Sequence, residues 1–169
     1  MFDTAFEDVI GHEGGFTLDP EDDGNWTGGK QNVGELKGTK FGISAAAYPH
    51  LNIRNLTLQD AKIIYHQDYW RRVRCDELPA PLAYAMFDCA VNQGRTRAIQ
   101  CLQRALNVKD DGIFGPGTMV AVGAREPYDL VAEFQAERML EYTVARRWQR
   151  FKLGWSLRAF RIAMRASRL

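Results

Sequence analysis

Apolar side chains recur at helical spacing over most of this chain. Phe2, Phe6, Val9 and Ile10 form a first stripe, and Gly14-Gly15 predicts its end. Residues 16 to 45 break the pattern: they are rich in Gly, Asp, Asn and Thr, with turn chemistry at Asp22-Asp23-Gly24-Asn25 and Gly28-Gly29. Short strand content is expected around Thr39-Lys40-Phe41-Gly42-Ile43. From Thr57 the helical period returns to the end of the chain. Thr57 and Asp60 predict a capping box opening a helix through Val73, with Leu58, Ala61, Ile64, Tyr65 and Tyr69 inward. Pro81 fits the first turn of a helix over 81–93. That helix is apolar nearly all round, through Leu82, Ala85, Met86, Phe87, Cys89, Ala90 and Val91, so it is expected to be buried centrally. Further helices are predicted near 95–106, 116–124, 128–149 and 155–167. The fold class is therefore mainly α (α+β), with a small irregular or β-containing wing inserted after the first helix.

Composition narrows the class. The 169 residues are 46% hydrophobic and 25% charged, which suits one globular domain with a real core. No apolar run approaches the roughly 20 residues that span a bilayer. The first eight residues are acidic and lack a basic n-region with an apolar h-region, so synthesis in a cytoplasm without a signal peptide is expected. Three cysteines, Cys75, Cys89 and Cys101, lack CxxC spacing and read as buried or idle thiols. Three scattered histidines argue against a metal site, and no cofactor is implied. Net charge is +1 but uneven: from Tyr142 onward there are eight Arg or Lys and no acidic residue, while the residues before it carry a net −7. That tail suits either an anionic partner or a solvated basic face. Its apolar positions Leu157, Phe160 and Met164 are expected to pack in the core.

Glu13 is the sharpest chemical signal. It lies three residues after Ile10, four after Val9 and seven after Phe6, so it continues the apolar stripe. Desolvation there, with the negative end of the helix, favours the protonated form that a general acid needs. A surface glutamate at a helix end has the same spacing. Two rival motifs fail: HExxH needs histidine at position 16, which is Phe16, and an EF-hand begun at Asp19 needs glutamate at position 30, which is Lys30. A glycosidase also needs a second polar group across the scissile bond, and Asp19, Asp22, Asp23 and Thr39 are the candidates on the wing. Asp88 and Asn92, one turn apart on the apolar helix, must either find partners or border a wet cleft. The cleft is the favoured reading for Asn92, with Gln93 at its rim, and Asp88 suits bracing of a neighbouring helix equally well. Tyr65, Tyr69 and Trp70 suit core packing, though their flat faces also suit sugar rings.

The run His12-Glu13-Gly14-Gly15-Phe16, with Asp19-Pro20, Asp22, Gly24 and Thr39-Lys40-Phe41-Gly42-Ile43-Ser44, resembles glycoside hydrolase family 108, the N-acetylmuramidases common as phage endolysins. The likeness continues through Asp68-Tyr69-Trp70, Phe87-Asp88-Cys89-Ala90-Val91-Asn92, Leu102-Gln103-Arg104-Ala105-Leu106 and Asp111-Gly112-Ile113-Phe114-Gly115-Pro116. It implies a lysozyme-like fold, a helical lobe and a small wing flanking a sugar cleft. It also implies that Glu13 is the catalytic acid, with Asp22, nine residues on, and Thr39 as its partners. An insertion, roughly Asn25 to Lys37, departs from shorter members and bears on the Asp22–Thr39 geometry. The segment from Asp111 to Thr118 resembles a signature of peptidoglycan-binding modules. Without a linker before it, residues 1–90 are expected to be the catalytic part, and 91–169 a helical lobe of the same single domain.

The expected function is hydrolysis of the β-1,4 bond between N-acetylmuramic acid and N-acetylglucosamine in peptidoglycan, for lysis of a host cell. The expected substrate-binding residues are Asp19, Tyr65, Trp70, Asp88, Asn92 and Gln93. The chain is expected to be a monomer without a nucleic-acid partner, with contact to an anionic envelope through its Arg-rich tail. Release to the wall through a holin follows from the resemblance to phage lysis systems. A lytic transglycosylase and a non-catalytic peptidoglycan-binding module are the rival readings. Inverting and retaining outcomes both fit the spacing.

Overall fold

The structure is a computed structural model that describes residues 1–10 and 15–169. Seven α-helices and one two-stranded sheet are described, the mainly α class the periodicity predicts. The chain forms two compact units, Phe6–His66 and Met1–Ala5 with Gln67–Leu169.

In the first unit, α1 (Phe2–Ile10) supplies its later residues, and Phe6 packs edge-on against Tyr65 with ring centres 5.7 Å apart. The strands β1 (Thr39–Lys40) and β2 (Ile43–Ser44) pair antiparallel across a two-residue turn. Both turn residues have positive φ, Phe41 at 53° and Gly42 at 75°, the geometry of a type I′ hairpin whose twist matches that of the strands. Glycine adopts it freely; phenylalanine does not. The Tyr65 hydroxyl holds the turn by donating to the Phe41 carbonyl at 3.0 Å. Helix α2 (Leu58–Tyr65) opens with the expected capping box, Thr57 and Asp60 each accepting from the other's backbone N–H. The helix expected to run on to Val73 instead leaves α geometry after Tyr65, passing through one π turn over His66–Trp70.

The second unit is built on α3 (Ala80–Gln93), in which Pro81 to Ala90 are all buried. Three elements pack around it: α4 (Arg95–Ala105), α6 (Pro127–Thr143) and α7 (Trp148–Ala166). Helix α5 (Pro116–Gly123) completes the set. Gly94, at φ 94°, lets the chain turn between α3 and α4 without a spacer. Phe2, Trp70 and Phe87 form a triangle of edge-to-face rings with centres 5.3–5.6 Å apart. The three cysteines are free, buried thiols, as composition predicts. Burial pushes Cys75 and Cys89 up, whereas a hydrogen bond with Cys89 pulls Cys101 down.

Two expectations near the C-terminus are corrected. The break expected between residues 149 and 155 lies at Val144–Arg147, because the Thr143 hydroxyl bonds back to the Leu140 carbonyl at 2.7 Å and the backbone tightens into turns there. Leu157, Phe160 and Met164 are not core residues: they are 41%, 65% and 58% exposed, and Ala159, Ile162 and Ala166 form the buried face of α7 instead.

Asp88 lies at the centre of this unit, 1% exposed. Arg158 grips its Oδ1 through Nη2 at 2.6 Å and Nε at 2.9 Å, and Arg138 Nη2 lies 2.6 Å from Oδ2. The Arg138 contact is an ion pair without the alignment of a hydrogen bond. Burial opposes the charge on Arg138, but the Asp88 carboxylate and the other groups around it together more than offset this, and the guanidinium is held above its ordinary range. Removing one member of such a pair leaves a bare charge in the core. Asp88→Ala is therefore expected to destabilise the chain by about 3–5 kcal/mol, and the pair Asp88→Leu with Arg138→Met by much less. Urea denaturation midpoints measure both.

Candidate functional site

Glu13 falls outside the described residues; the other catalytic candidates, Asp22 and Thr39, and Asp19 beside them lie on the wing. Asp19 and Asp22 occupy the exposed loop between α1 and β1. Each carboxylate accepts from a backbone N–H two residues on, Asp19 from Glu21 and Asp22 from Gly24, both at 2.9 Å. The Asp22 bond caps a short 3-10 turn over Asp23–Asn25. One carboxylate oxygen of Asp22 is thus tied to the turn, and the loop presents this acid at its surface.

Asn25 is the residue that sequence reasoning missed. It is 0% exposed, though its neighbours on the loop are not. Its side-chain amide donates to the Asp19 carbonyl at 3.0 Å and accepts from the Thr39 hydroxyl at 2.7 Å. Its backbone N–H donates to the Asp22 carbonyl at 3.0 Å, and its own carbonyl accepts from Lys37 and Gly38. Asn25 therefore joins Asp19, Asp22 and Thr39 into one bonded set. Its local signal is an asparagine two residues after an Asp-Asp pair, which reads as ordinary turn chemistry.

The same bonds tie off the stretch expected to be an insertion. Residues 26 to 36 fold back on themselves, with an isolated bridge pairing Trp26 and Leu36 and with backbone bonds from Thr27 to Glu35 and Gly28 to Val33. Asn25 closes the base of this excursion. The Trp26 indole N–H pins it to the Pro20 carbonyl at 2.9 Å. Thr39 also bridges Thr17 through a reciprocal pair of 2.9 Å backbone bonds, which fixes β1 against the start of the wing.

Thr39 is half-buried and spends its hydroxyl proton on Asn25. Its oxygen is left with lone pairs only, so towards any water beside it Thr39 is an acceptor. An acceptor hydroxyl that shares one water with a carboxylate can hold that water by one proton while the carboxylate takes the other.

The other expected site residues divide between packing and a second pocket. Tyr65 is 4% exposed and braces the hairpin, and Trp70 is 2% exposed with its indole N–H given to Asp76 at 2.6 Å. Neither ring offers a face to a sugar; both are corrected to core residues, because packing takes the faces that a sugar platform needs. Asp88 is likewise committed to its two arginines, the bracing role. Asn92 and Gln93 do line a pocket, of about 340 Å³, with Arg97, Glu141, Tyr142 and Trp155. Their carbonyl oxygens are held from behind: Asn92 accepts from the Tyr142 hydroxyl at 2.5 Å, and Gln93 from Arg138 Nε at 3.0 Å. The pair is thus partnered inside the protein and beside a pocket at the same time. Burial pushes the Tyr142 hydroxyl up, against the pull of Arg138.

The Asp111-Gly112 signature is a folding device. Gln103 on α4 donates to Asp111 Oδ1 at 2.9 Å and to the Ile113 carbonyl at 3.0 Å, and accepts from the Gly112 N–H at 2.8 Å. Gly112 has φ 73°, and a Cβ there would meet Thr96 at 2.7 Å.

The wing makes one clear demand on sequence. Asn25→Ala removes both side-chain bonds, leaving the Thr39 hydroxyl without its acceptor and the Asp19 carbonyl with only the bond from the Asp22 N–H at 3.2 Å. A loss of about 1–3 kcal/mol is expected from urea unfolding. Asn25→Asp keeps the acceptor for Thr39 but not the donor to Asp19, and its stability is expected to fall between the native chain and Asn25→Ala.

Comparison with known proteins gives the two units a family context. The family model described as "Glycosyl hydrolase 108" matches residues 6–94, and one described as "Predicted Peptidoglycan domain" matches residues 97–160. Among solved structures, SagA of Brucella abortus is 29% identical, with a TM-score of 0.80 over 98% of this chain and 92% of that one. No match is found among curated proteins. The fold class is thus the lysozyme-like, mainly α one expected, and the chain belongs to the glycosyl hydrolase 108 family.

Proposed function

We propose that this chain is an N-acetylmuramidase that hydrolyses the β-1,4 bond between N-acetylmuramic acid and N-acetylglucosamine in peptidoglycan. The observation that carries the reading is the bonded set on the wing: an exposed Asp22 and a Thr39 hydroxyl whose proton is already given to Asn25. Glu13 is the general acid in this scheme and protonates the leaving glycosidic oxygen. Asp22 takes a proton from a water held by the Thr39 oxygen, and that water attacks the anomeric carbon from the face opposite the leaving group. One bond to oxygen breaks and one forms, and the two protons balance between Glu13 and Asp22. The residues expected to touch the glycan or its stem beyond these are Asp19 on the wing, and Asn92 and Gln93 at their pocket.

The biological role that goes with this chemistry is lysis of a bacterial host by a phage endolysin. In that role the enzyme is made in the host cytoplasm and reaches the wall through a holin. The likeness of residues 97–160 to a peptidoglycan domain supports the wall as the target. No helix among the described residues is long and apolar enough to cross a membrane.

Mass spectrometry of muropeptides released from purified sacculi tests the reaction class. Products carrying one added water are expected; anhydro-muramic ends would make the chain a lytic transglycosylase. Glu13→Gln is expected to lower the release rate by about a thousandfold while sacculus binding persists. Release at the wild-type rate by that variant would remove Glu13 from the mechanism, and binding without release by the wild type would leave a wall-binding module.

Delivery of a water through Asp22 and Thr39 fixes the stereochemistry as well. The first-formed reducing end is expected in the α configuration, read by proton NMR before mutarotation. A β product, with a covalent glycosyl adduct trapped on Asp22, would show that the carboxylate attacks directly.

A further inference from the structure

Helix α7 has two apolar faces, and the fold uses one. Ala159, Ile162 and Ala166 are buried as α7 packs against α3 and α6. On the opposite side Leu153, Leu157, Phe160 and Met164 follow one another at spacings of four, three and four. At about 100° per residue these four share an arc of roughly 60°. They are 71%, 41%, 65% and 58% exposed. Arg150 and Arg161 are exposed along one flank of this stripe, Arg168 is exposed just past the end of the helix, and Lys152 is exposed nearer the other flank. No acidic residue occurs from Tyr142 to the end of the sequence. On the adjoining α6, Glu133 is engaged by Arg125, Glu137 by Arg104, and Glu141 by Arg97 and Arg104.

We infer that the outer face of α7 docks on an anionic lipid bilayer, lying in the interface with its apolar stripe towards the acyl chains and its arginines at the headgroups. The pattern disfavours two simpler occupants. An anionic polymer would be met by the arginines, but it gives no reason for four large apolar side chains aimed away from the core. A second copy placing the same face across a two-fold axis would bring the arginine-bearing flanks of the two helices together. An anionic bilayer answers both features at once, apolar depth and negative charge, and it is the combination that marks interfacial helices. This inference stands apart from the glycosidase reading, since it needs neither Glu13 nor the wing.

Flotation of the full chain with vesicles tests it. The protein is expected to float with vesicles of phosphatidylglycerol in phosphatidylcholine, to float little with phosphatidylcholine alone, and to lose binding as salt is raised. The double variant Leu153→Asn with Phe160→Asn removes exposed side chains and so keeps the fold, checked by circular dichroism. It is expected to bind anionic vesicles about tenfold less well. Arg150→Gln with Arg161→Gln and Arg168→Gln is expected to flatten the salt dependence. Release of muropeptides from bare sacculi is expected to be unchanged in both variants. Absence of binding to anionic vesicles at low salt, or equal binding by wild type and the double variant, would overturn the inference. So would a dimer in sedimentation that the double variant dissociates, which would give the stripe to a second copy.

Discussion

A carboxylate placed on a helix that is buried on every side has to be neutralised from within the protein, and the helical unit is arranged around that requirement. Asp88 sits on α3, where ten consecutive residues are buried. Its counter-charges come from Arg138 on α6 and Arg158 on α7, fifty and seventy positions further along. A guanidinium reaches a carboxylate in only a few geometries, so the two arginines fix how α6 and α7 lie on α3 as well as holding them there. Arg138 then extends the same order outwards. Its other N–H groups reach Gln93 and the Tyr142 hydroxyl, which in turn donates to Asn92. The two amides at the pocket wall therefore inherit their orientation from a charge buried about one turn back along the same helix.

The wing solves a similar problem without charge. Its backbone has little regular structure to satisfy it, and a neutral side chain takes that part. Asn25 has one donor group and one acceptor in a buried position, and each reaches a different strand of the loop. Because those bonds close the base of the excursion from Trp26 to Leu36, extra residues there alter the surface and not the frame that holds Asp22 and Thr39. Loop insertions are tolerated in this way whenever the ends stay bonded to each other. The chemical consequence is specific: a threonine whose proton is fixed inward turns an acceptor outward.

In helix α7 the demands of folding occupy only part of the surface. Arg158 turns inward, Ala159, Ile162 and Ala166 make the close contact, and Leu153, Leu157, Phe160 and Met164 are left outside. Ala159 and Ala166, on either side of Ile162 at the packed face, allow α7 to approach its neighbours closely.

The amino-acid sequence by itself determined the helical class, the start of most helices and the family. Those features rest on local physics: a proline in a first turn, a capping box at Thr57 and Asp60, an apolar run too continuous for a surface helix, and motifs whose spacing is fixed along the chain. It also put Asp22 and Thr39 forward together, and it picked out Asp88, Asn92 and Gln93 as polar groups on an apolar helix that needed an account. Only the tertiary structure decided which account each received. Asp88 needed partners that lie far along the chain, and no local pattern selects among twenty-two cationic side chains. Trp70 and Tyr65 went to the core while Leu157, Phe160 and Met164 went outside, because periodicity reports that a helix has an apolar face and not whether a neighbour covers it. Asn25 was invisible for the same reason: its importance lies in the separate stretches of chain that meet at one amide, and that meeting exists only once the chain has folded.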